Sequence, residues 1–437
     1  INVSTSGPIL KDKNNKSIIG FRLGGRFLNN KDDNAPFDPV AYMNEDQIKF
    51  LEANPVRDIG VGGKYSAGEF DLSKNTSLSK FSKNEQRRDI DLNGKLDFRI
   101  SSAIDVQLGV GYSDIENHFA PSSNEQNYNY TSRQWAFANY LNNPIESTNR
   151  LRGNIRLRHK LSDASTGNKG LLQNVAYVLI AGYEKQQSDQ KDTRHGDNLF
   201  DYGYIGKFNS KLSEPNFFDF VDPTTGEAVP QKFRLEEEFL GTITNGTQNV
   251  ALANYNNGLT EADILSESFV TTNGQFSEST LFNEIFGLYN NVGRTYNTFR
   301  KDEKDTYTGR LDINFDIVPG GSDKGRHSIN LGFLYEQNTQ RSYNFAPRNL
   351  WTLANNLSNN HLKELDYNSP KDSIILNGQI FPTYNYKVSE LTGNKFYKSV
   401  RERLGIPLNE PLFINNLSPD QLSLDMFAPG ELVNAGL

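Results

Sequence analysis

From Asp89 to Ile100 the chain alternates almost without error: Ile90, Leu92, Leu96, Phe98 and Ile100 fall on one parity, and Asp89, Asp91, Asn93, Lys95, Asp97 and Arg99 on the other. Period two is the geometry of a β-strand, whose successive side chains point to opposite faces, so the segment carries one apolar face and one polar face. Seven further stretches read the same way, which predicts strands over 1–10, 17–29, 88–100, 104–113, 149–161, 171–188, 305–318 and 326–340. In the second, Ile19, Phe21, Leu23 and Phe27 oppose Arg22 and Arg26; in the seventh, Tyr307, Leu311, Ile313, Phe315 and Ile317 oppose Arg310, Asp312, Asn314 and Asp316. The sixth is weaker, because Val178 and Ile180 fall on its polar parity.

The connections alternate as strictly as the residues do. Segments 11–16, 101–103, 162–170 and 319–325 are brief and carry turn chemistry, the last reading PGGSDKG. Segments 30–87, 114–148 and 189–304 are long, and another long segment, 341–437, follows the eighth strand. Loops of this size are uncommon in compact soluble domains, where medians are about 4–6 residues. Short turns on one rim and long loops on the other are the layout of an antiparallel transmembrane outer-membrane β-barrel, with periplasmic turns and extracellular loops. Phe27, Tyr112, Tyr183, Tyr307 and Tyr335 sit near the long-loop ends of their strands and Phe98 and Phe315 near the short-turn ends, as two interfacial girdles require. A soluble β-sandwich or propeller also shows period two, but leaves loops and girdles unexplained.

Composition fits a wall with one lipid-facing side. Hydrophobic residues make up 36% of 437, enough for a fold but only if they are patterned. The longest apolar run, Val175 to Tyr183, has nine residues, too few for a membrane helix but within the range of about 9–11 for a tilted membrane strand. A net charge of −7 argues against a phosphate-tracking surface, so no nucleic-acid partner is expected. The absence of cysteine excludes a disulfide framework and thiolate metal sites. No initiator Met or apolar leader is present at Ile1, and the numbering is expected to begin inside a longer product.

Motifs that carry chemistry are thin, and no cofactor, metal or catalytic residue is expected. Asp89-x-Asp91-x-Asn93-Gly94 opens like a calcium loop, but Ile100 stands where a bidentate Glu belongs. GVGGKYS at 60–66 lacks the first Gly and the final Ser/Thr of a phosphate loop. His118, His159, His195, His327 and His361 are scattered, with no metalloprotease or hydrolase signature. Two features are candidate sites. Arg152, Arg156, Arg158 and Lys160 share one polar face and form a basic stripe, either a surface for an anionic solute or simply partners of wall carboxylates such as Asp97 or Asp312. Tyr128, Tyr130, Trp135, Phe137 and Tyr140 cluster among amides in a long loop, where they either bind a sugar or peptide or pack the loop against its neighbours.

The run INVSTSGPILKDKNNKSIIGFRLGGRFLNNKDD with NEDQIKFLEANP, and the segments DLNGKLDFRISSAIDVQLGVGYSD, STNRLRGNIRLRHKLSD and LSPDQLSLDMFAPGELVNAG, resemble the early barrel of Bacteroidota TonB-dependent receptors, including the SusC-like transporters. The resemblance implies a larger barrel of which this chain is an N-terminal part without the plug. It also implies an outer-membrane location, active solute import, energy coupling through TonB by regions outside this chain, and a SusD-like surface lipoprotein as a partner. A receptor-like barrel serving as a structural scaffold, and a soluble glycan-active enzyme, are the alternatives. Eight strands of such a wall leave two unpaired edges, which lipid does not tolerate, so further strands from the same or another chain are expected to complete it.

Overall fold

The computed structural model describes the chain except residues 59, 61–63, 71–72, 123–131, 162–170, 213–219, 222–223, 225–227, 230–236, 259–291, 320–324, 377 and 434–437. Eight strands form one sheet: β1 (Asn2–Lys11), β2 (Ser17–Asn30), β3 (Arg87–Arg99), β4 (Ile104–His118), β5 (Ile145–Lys160), β6 (Leu172–Lys191), β7 (Phe299–Ile317) and β8 (His327–Phe345). Each pairs antiparallel with the next in sequence, from β1 to β8 with no crossover. This is an all-β meander, the wall of a partial barrel.

The ladder joins the two parities into two continuous faces, because directly opposed residues share a face. One apolar row runs Phe21, Leu96, Leu108, Ile155, Ala181, Gly309, Tyr335; the neighbouring polar row runs Gly20, Asp97, Gln107, Arg156, Ile180, Arg310, Leu334. The sixth strand departs from simple alternation in two separate ways. A bulge between Gln173 and Ala176 in β6, with Asn174 at φ 53°, shifts the register by one residue. Val178 and Ile180 stay on the polar face, opposite Arg158 and Asp312 and opposite Arg156 and Arg310, whose aliphatic stems they can pack against.

The strands run further than the alternation extends, always on the long-loop side. β4 continues to His118, β5 starts at Ile145, β7 starts at Phe299 and β8 ends at Phe345. In these extensions both faces turn polar, as in Arg300–Lys304, so the hydrogen-bond ladder persists where the hydropathy signal has stopped.

The hydrophobic cores lie outside the wall. One gathers Phe200, Tyr204, Leu350, Trp351, Phe396, Val400, Ile414 and Phe427 from the segments after β6 and β8, and takes in Phe299 at the top of β7. A second joins Tyr42, Met43, Ile48 and Leu51 to Ala136, Phe137 and Tyr140. Helices here are short: α1 (Glu45–Ala53), α2 (Ser132–Asn139), α3 (Asn349–Ser358) and α4 (Phe396–Leu404). No described helix is long and apolar enough to cross a membrane. α4 shows how these pieces are tied. Glu431 accepts hydrogen bonds from the backbone N–H of Lys395 and Phe396 at its N-terminus, and Gly405, at φ 68°, closes its C-terminus with Ile406 N–H donating to Arg401 O at 3.0 Å. Beside it, 362–376 and 379–388 form a two-stranded ribbon.

Candidate functional site: the two faces of the wall and the loop clusters

The apolar face is a band with a defined edge. Its last apolar residues on the long-loop side are Phe27 and Ile90, then Tyr112 and Leu151, then Tyr183 and Tyr307, each couple directly opposed in the ladder, and finally Tyr335 opposite Gly309. Across the next strand the same rows turn polar: Ile90 faces Asp114, Leu151 faces Lys185 and Tyr307 faces Gln337. The edge therefore drops two residues for every two strands. One residue of rise (about 3.3 Å) per strand spacing (about 4.8 Å) is a slope of about 35°, so an edge that is level in space requires strands tilted by that angle. Membrane barrels tilt their strands by about 35–45°. From Ile90 to Ile100 the band is about 27 Å tall after the tilt is taken off, close to the roughly 25 Å apolar belt of such barrels.

Three tyrosines on the edge point their hydroxyls to polar partners one row nearer the loops. Tyr112 donates to Asn149 Oδ1 at 3.1 Å, Tyr183 to Asp305 Oδ1 at 2.7 Å and Tyr335 to Gln337 Oε1 at 2.8 Å. Outward-facing ion pairs among the described residues lie on the loop side of this edge, as in Arg88–Asp114 at 3.6 Å, Lys185–Glu303 at 3.3 Å and Arg341–Asp305 at 3.5 Å. Within the band the outward side chains are uncharged yet open, Phe333 being 62% exposed and Val110 57%. Such a surface is stable only against an apolar surrounding.

The opposite face is laced with charge. Arg26 and Arg87 hold Asp89 at 3.2 and 2.8 Å, Lys95 pairs with Asp97 at 3.3 Å, Arg99 with Asp12 at 2.8 Å and Arg310 with Asp312 at 2.8 Å. Asp89, the first residue of the calcium-like motif, is buried by its two arginines, and its role there is ion pairing. The basic stripe lies on this face. Arg158 pairs with Asp105, the residue opposite it on β4. Arg152 lies along Gly111, where a Cβ would come within 2.6 Å of its Nε. Neither Asp97 nor Asp312 pairs with the stripe, because each is held on its own strand, by Lys95 and by Arg310, and Gln107 also donates to Asp97 at 2.8 Å. Arg152, Arg156 and Lys160 have no carboxylate partner among the described residues.

The aromatic candidates sit in the loop cores. Trp135 is fully buried, with Nε1 donating to Asn143 Oδ1 at 2.9 Å and with Tyr296 as its core neighbour. Phe137 and Tyr140 pack with Tyr42 and Met43, Tyr140 meeting Tyr42 edge to face at 5.6 Å between ring centres. Phe137 and Tyr140 join their loop to the first long loop and Trp135 joins it to the third through Tyr296; Tyr128 and Tyr130 lie outside the described residues. Most of GVGGKYS also lies outside them. Among the described residues no three His, Asp or Glu side chains are placed to hold a metal ion.

Two cavities went unanticipated. One, of about 480 Å³, is set in the loops between Asp197, Phe200, Asp201 and Asp420. Burial there pushes the Asp201 carboxyl up, with Asp420 adding to the shift and His195 opposing it. The other, of about 210 Å³, lies at the loop end of the polar face, lined by Glu146 of β5, Gln186 and Gln190 of β6, Arg300 and Lys304 of β7 and Gln340 of β8. Glu146, Arg300 and Lys304 fall just beyond the strand ends expected from alternation, at 149 and 305. Polar parity carried past the hydrophobic pattern is the signal that would have found them.

No protein-family model matches the chain, and no curated protein matches it. Among solved structures, a mutant of the ferric enterobactin receptor of Pseudomonas aeruginosa is similar over 78% of this chain and 36% of that one, with 10% sequence identity and a TM-score of 0.25. The chain thus spans about a third of that receptor's length. A likeness at this level settles neither family nor activity.

Proposed function

We propose that the chain forms part of the wall and the extracellular loops of an outer-membrane transporter that binds a solute outside the cell and admits it along the polar face. The single observation that supports this best is the apolar band, whose edge steps by one residue per strand as a level lipid-facing belt on strands tilted by about 35° would, and which ends in tyrosines with hydroxyls bonded to polar side chains on the loop side. Opposite it, a face of paired acids and bases, with Arg152 and Arg156 lacking a carboxylate partner among the described residues, suits a hydrated passage. In this reading the apolar face meets outer-membrane lipid. Coupling to TonB and a SusD-like lipoprotein on the loops, both implied by the sequence resemblance, are part of the proposal, as is the absence of a catalytic step.

A scaffold role has one observation in its favour: the long loops are folded modules with buried cores, suited to holding partners. Expressing the full-length protein in its native envelope separates the readings. Transport requires recovery in the outer-membrane fraction and solute uptake that stops when the proton gradient is dissipated. Outer-membrane recovery with no energy-dependent uptake supports the scaffold, and recovery in the soluble periplasm contradicts both.

A further inference from the structure

The cavity at the loop end of the polar face carries two unlike charges that the wall leaves unmatched. Its middle is already satisfied. Arg300 Nε holds Asp302 at 2.6 Å, Thr148 and Ser188 share a hydrogen bond of 2.9 Å, and Arg150 donates to Gln186 Oε1 at 2.9 Å. At one end stands the Glu146 carboxylate, with no partner among the described residues. At the other stands the Lys304 ammonium, likewise without a partner among the described residues.

The register fixes how far apart these ends are. Glu146 pairs with Gln190 and Gln190 with Arg300, so Glu146 lies two strands from β7, on the row of Arg300 and four residues along from Lys304. Two strand spacings (about 10 Å) and four residues (about 13 Å) set the Cα atoms about 16 Å apart. The inward reach of both side chains shortens that distance to a span that two to four extended residues bridge at about 3.5 Å each. Between the ends lie the amides of Gln186, Gln190 and Gln340, groups that can both donate to and accept from a peptide backbone. No aromatic ring is among the cavity's described lining residues; Tyr296, whose hydroxyl accepts from Gln190 at 2.7 Å, is buried. A sugar site would be expected to offer a ring to stack on, and a simple anion or cation site would not pair an acid end with a basic end.

We propose that this cavity binds a short peptide with both termini free, its ammonium toward Glu146 and its carboxylate toward Lys304. The proposal rests on reading the polar face as a solute passage and names the class of solute that passes. The test uses the full-length protein in lipid nanodiscs and isothermal titration with trialanine, N-acetyl-trialanine, trialanine amide and maltotriose. Trialanine should bind at least tenfold more tightly than either blocked peptide, and maltotriose should not compete. Glu146→Gln should abolish the discrimination against the acetylated form alone, and Lys304→Met that against the amide alone. A protein that inserts into lipid but binds the blocked peptides equally, prefers maltotriose, or ignores trialanine overturns the peptide assignment while leaving the transport reading intact. A protein that fails to enter lipid overturns both.

Discussion

The wall and the loops are stabilised in opposite ways. In the loops, aromatic and aliphatic side chains are buried in clusters: Trp135, Tyr296, Leu350, Phe396 and Ile414 are fully shielded. Among the described wall residues no apolar cluster is buried, apart from Phe299, which joins a loop core at the top of β7. Leu92, Leu108, Leu151 and Phe333 stand open on one face, and the other is held by ion pairs and the backbone ladder. The loops bury their apolar side chains as a water-soluble domain does, whereas the wall leaves its apolar face open, which in the proposed reading meets lipid. The same kind of substitution should therefore have opposite consequences in the two regions.

The largest expected effect is in the loops. Arg401 of α4 is buried, and its guanidinium donates to Ser358 O at 2.6 Å, Glu410 O at 2.7 Å and Asn359 Oδ1 at 2.8 Å. Arg401→Ala leaves the buried Ser358 carbonyl oxygen without this donor and empties the space of a fully buried side chain, at a cost of about 3–5 kcal/mol to that module. Limited proteolysis should then cut within 346–433 while the wall stays resistant; equal sensitivity of both regions would break the comparison.

Next is the wall. Leu108→Arg, on the outward face in mid-band, should destabilise the folded protein in bilayers by about 2–4 kcal/mol, whereas Gln107→Arg, one residue away on the polar face, should change it by less than about 1 kcal/mol. Urea titration in vesicles reads both. Smaller still, Tyr183→Phe removes the edge hydroxyl that bonds Asp305 and should cost about 1 kcal/mol in the same assay.

The smallest effects are of pH, and they sharpen the contrast between two loop modules. Burial beside Asp32 pushes Glu85 up to about 7, so its folded form holds a proton that the unfolded chain releases nearer 4.5. Stability from this group is fully present below about pH 4.5 and is lost as pH rises through about 7. Burial pushes His361 down to about 4, so its module is most stable above the ordinary value of 6.5 and weakens as pH falls toward 4. Hydrogen exchange between pH 5 and 7.5 should show protection around Ser82–Glu85 falling as that around His361 rises. Glu85→Gln and His361→Asn should flatten the respective trends.

The wall was legible because each strand keeps one apolar and one polar face, which imposes period two along it. Legibility ended where that asymmetry ended. Above the tyrosine edge both faces are wet, so Glu146, Arg300 and Lys304 read as loop although they are ladder residues. The loop cores were hidden for a different reason. Trp135, Phe137 and Tyr140 read either as an aromatic platform or as packing of the loop on its neighbours, and nothing in their spacing announces that Tyr42, Met43 and Tyr296 arrive from distant segments to cover them. The stripe was visible as a set of cations, but which of them is neutralised depends on cross-strand register. Arg158 is set opposite Asp105 and pairs with it, whereas Arg152 is set opposite Glu184, which pairs with Arg150 instead at 3.5 Å.

The central claim is that the apolar face meets lipid. Because the sequence contains no cysteine, single cysteines placed from Val106 to Tyr112 in β4 can be spin-labelled cleanly in bilayers. Collision with oxygen, which concentrates in lipid, should be high at Val106, Leu108, Val110 and Tyr112, and collision with a water-soluble nickel chelate high at Gln107, Gly109 and Gly111. Equal accessibility at both parities, or the opposite phase, would contradict the account.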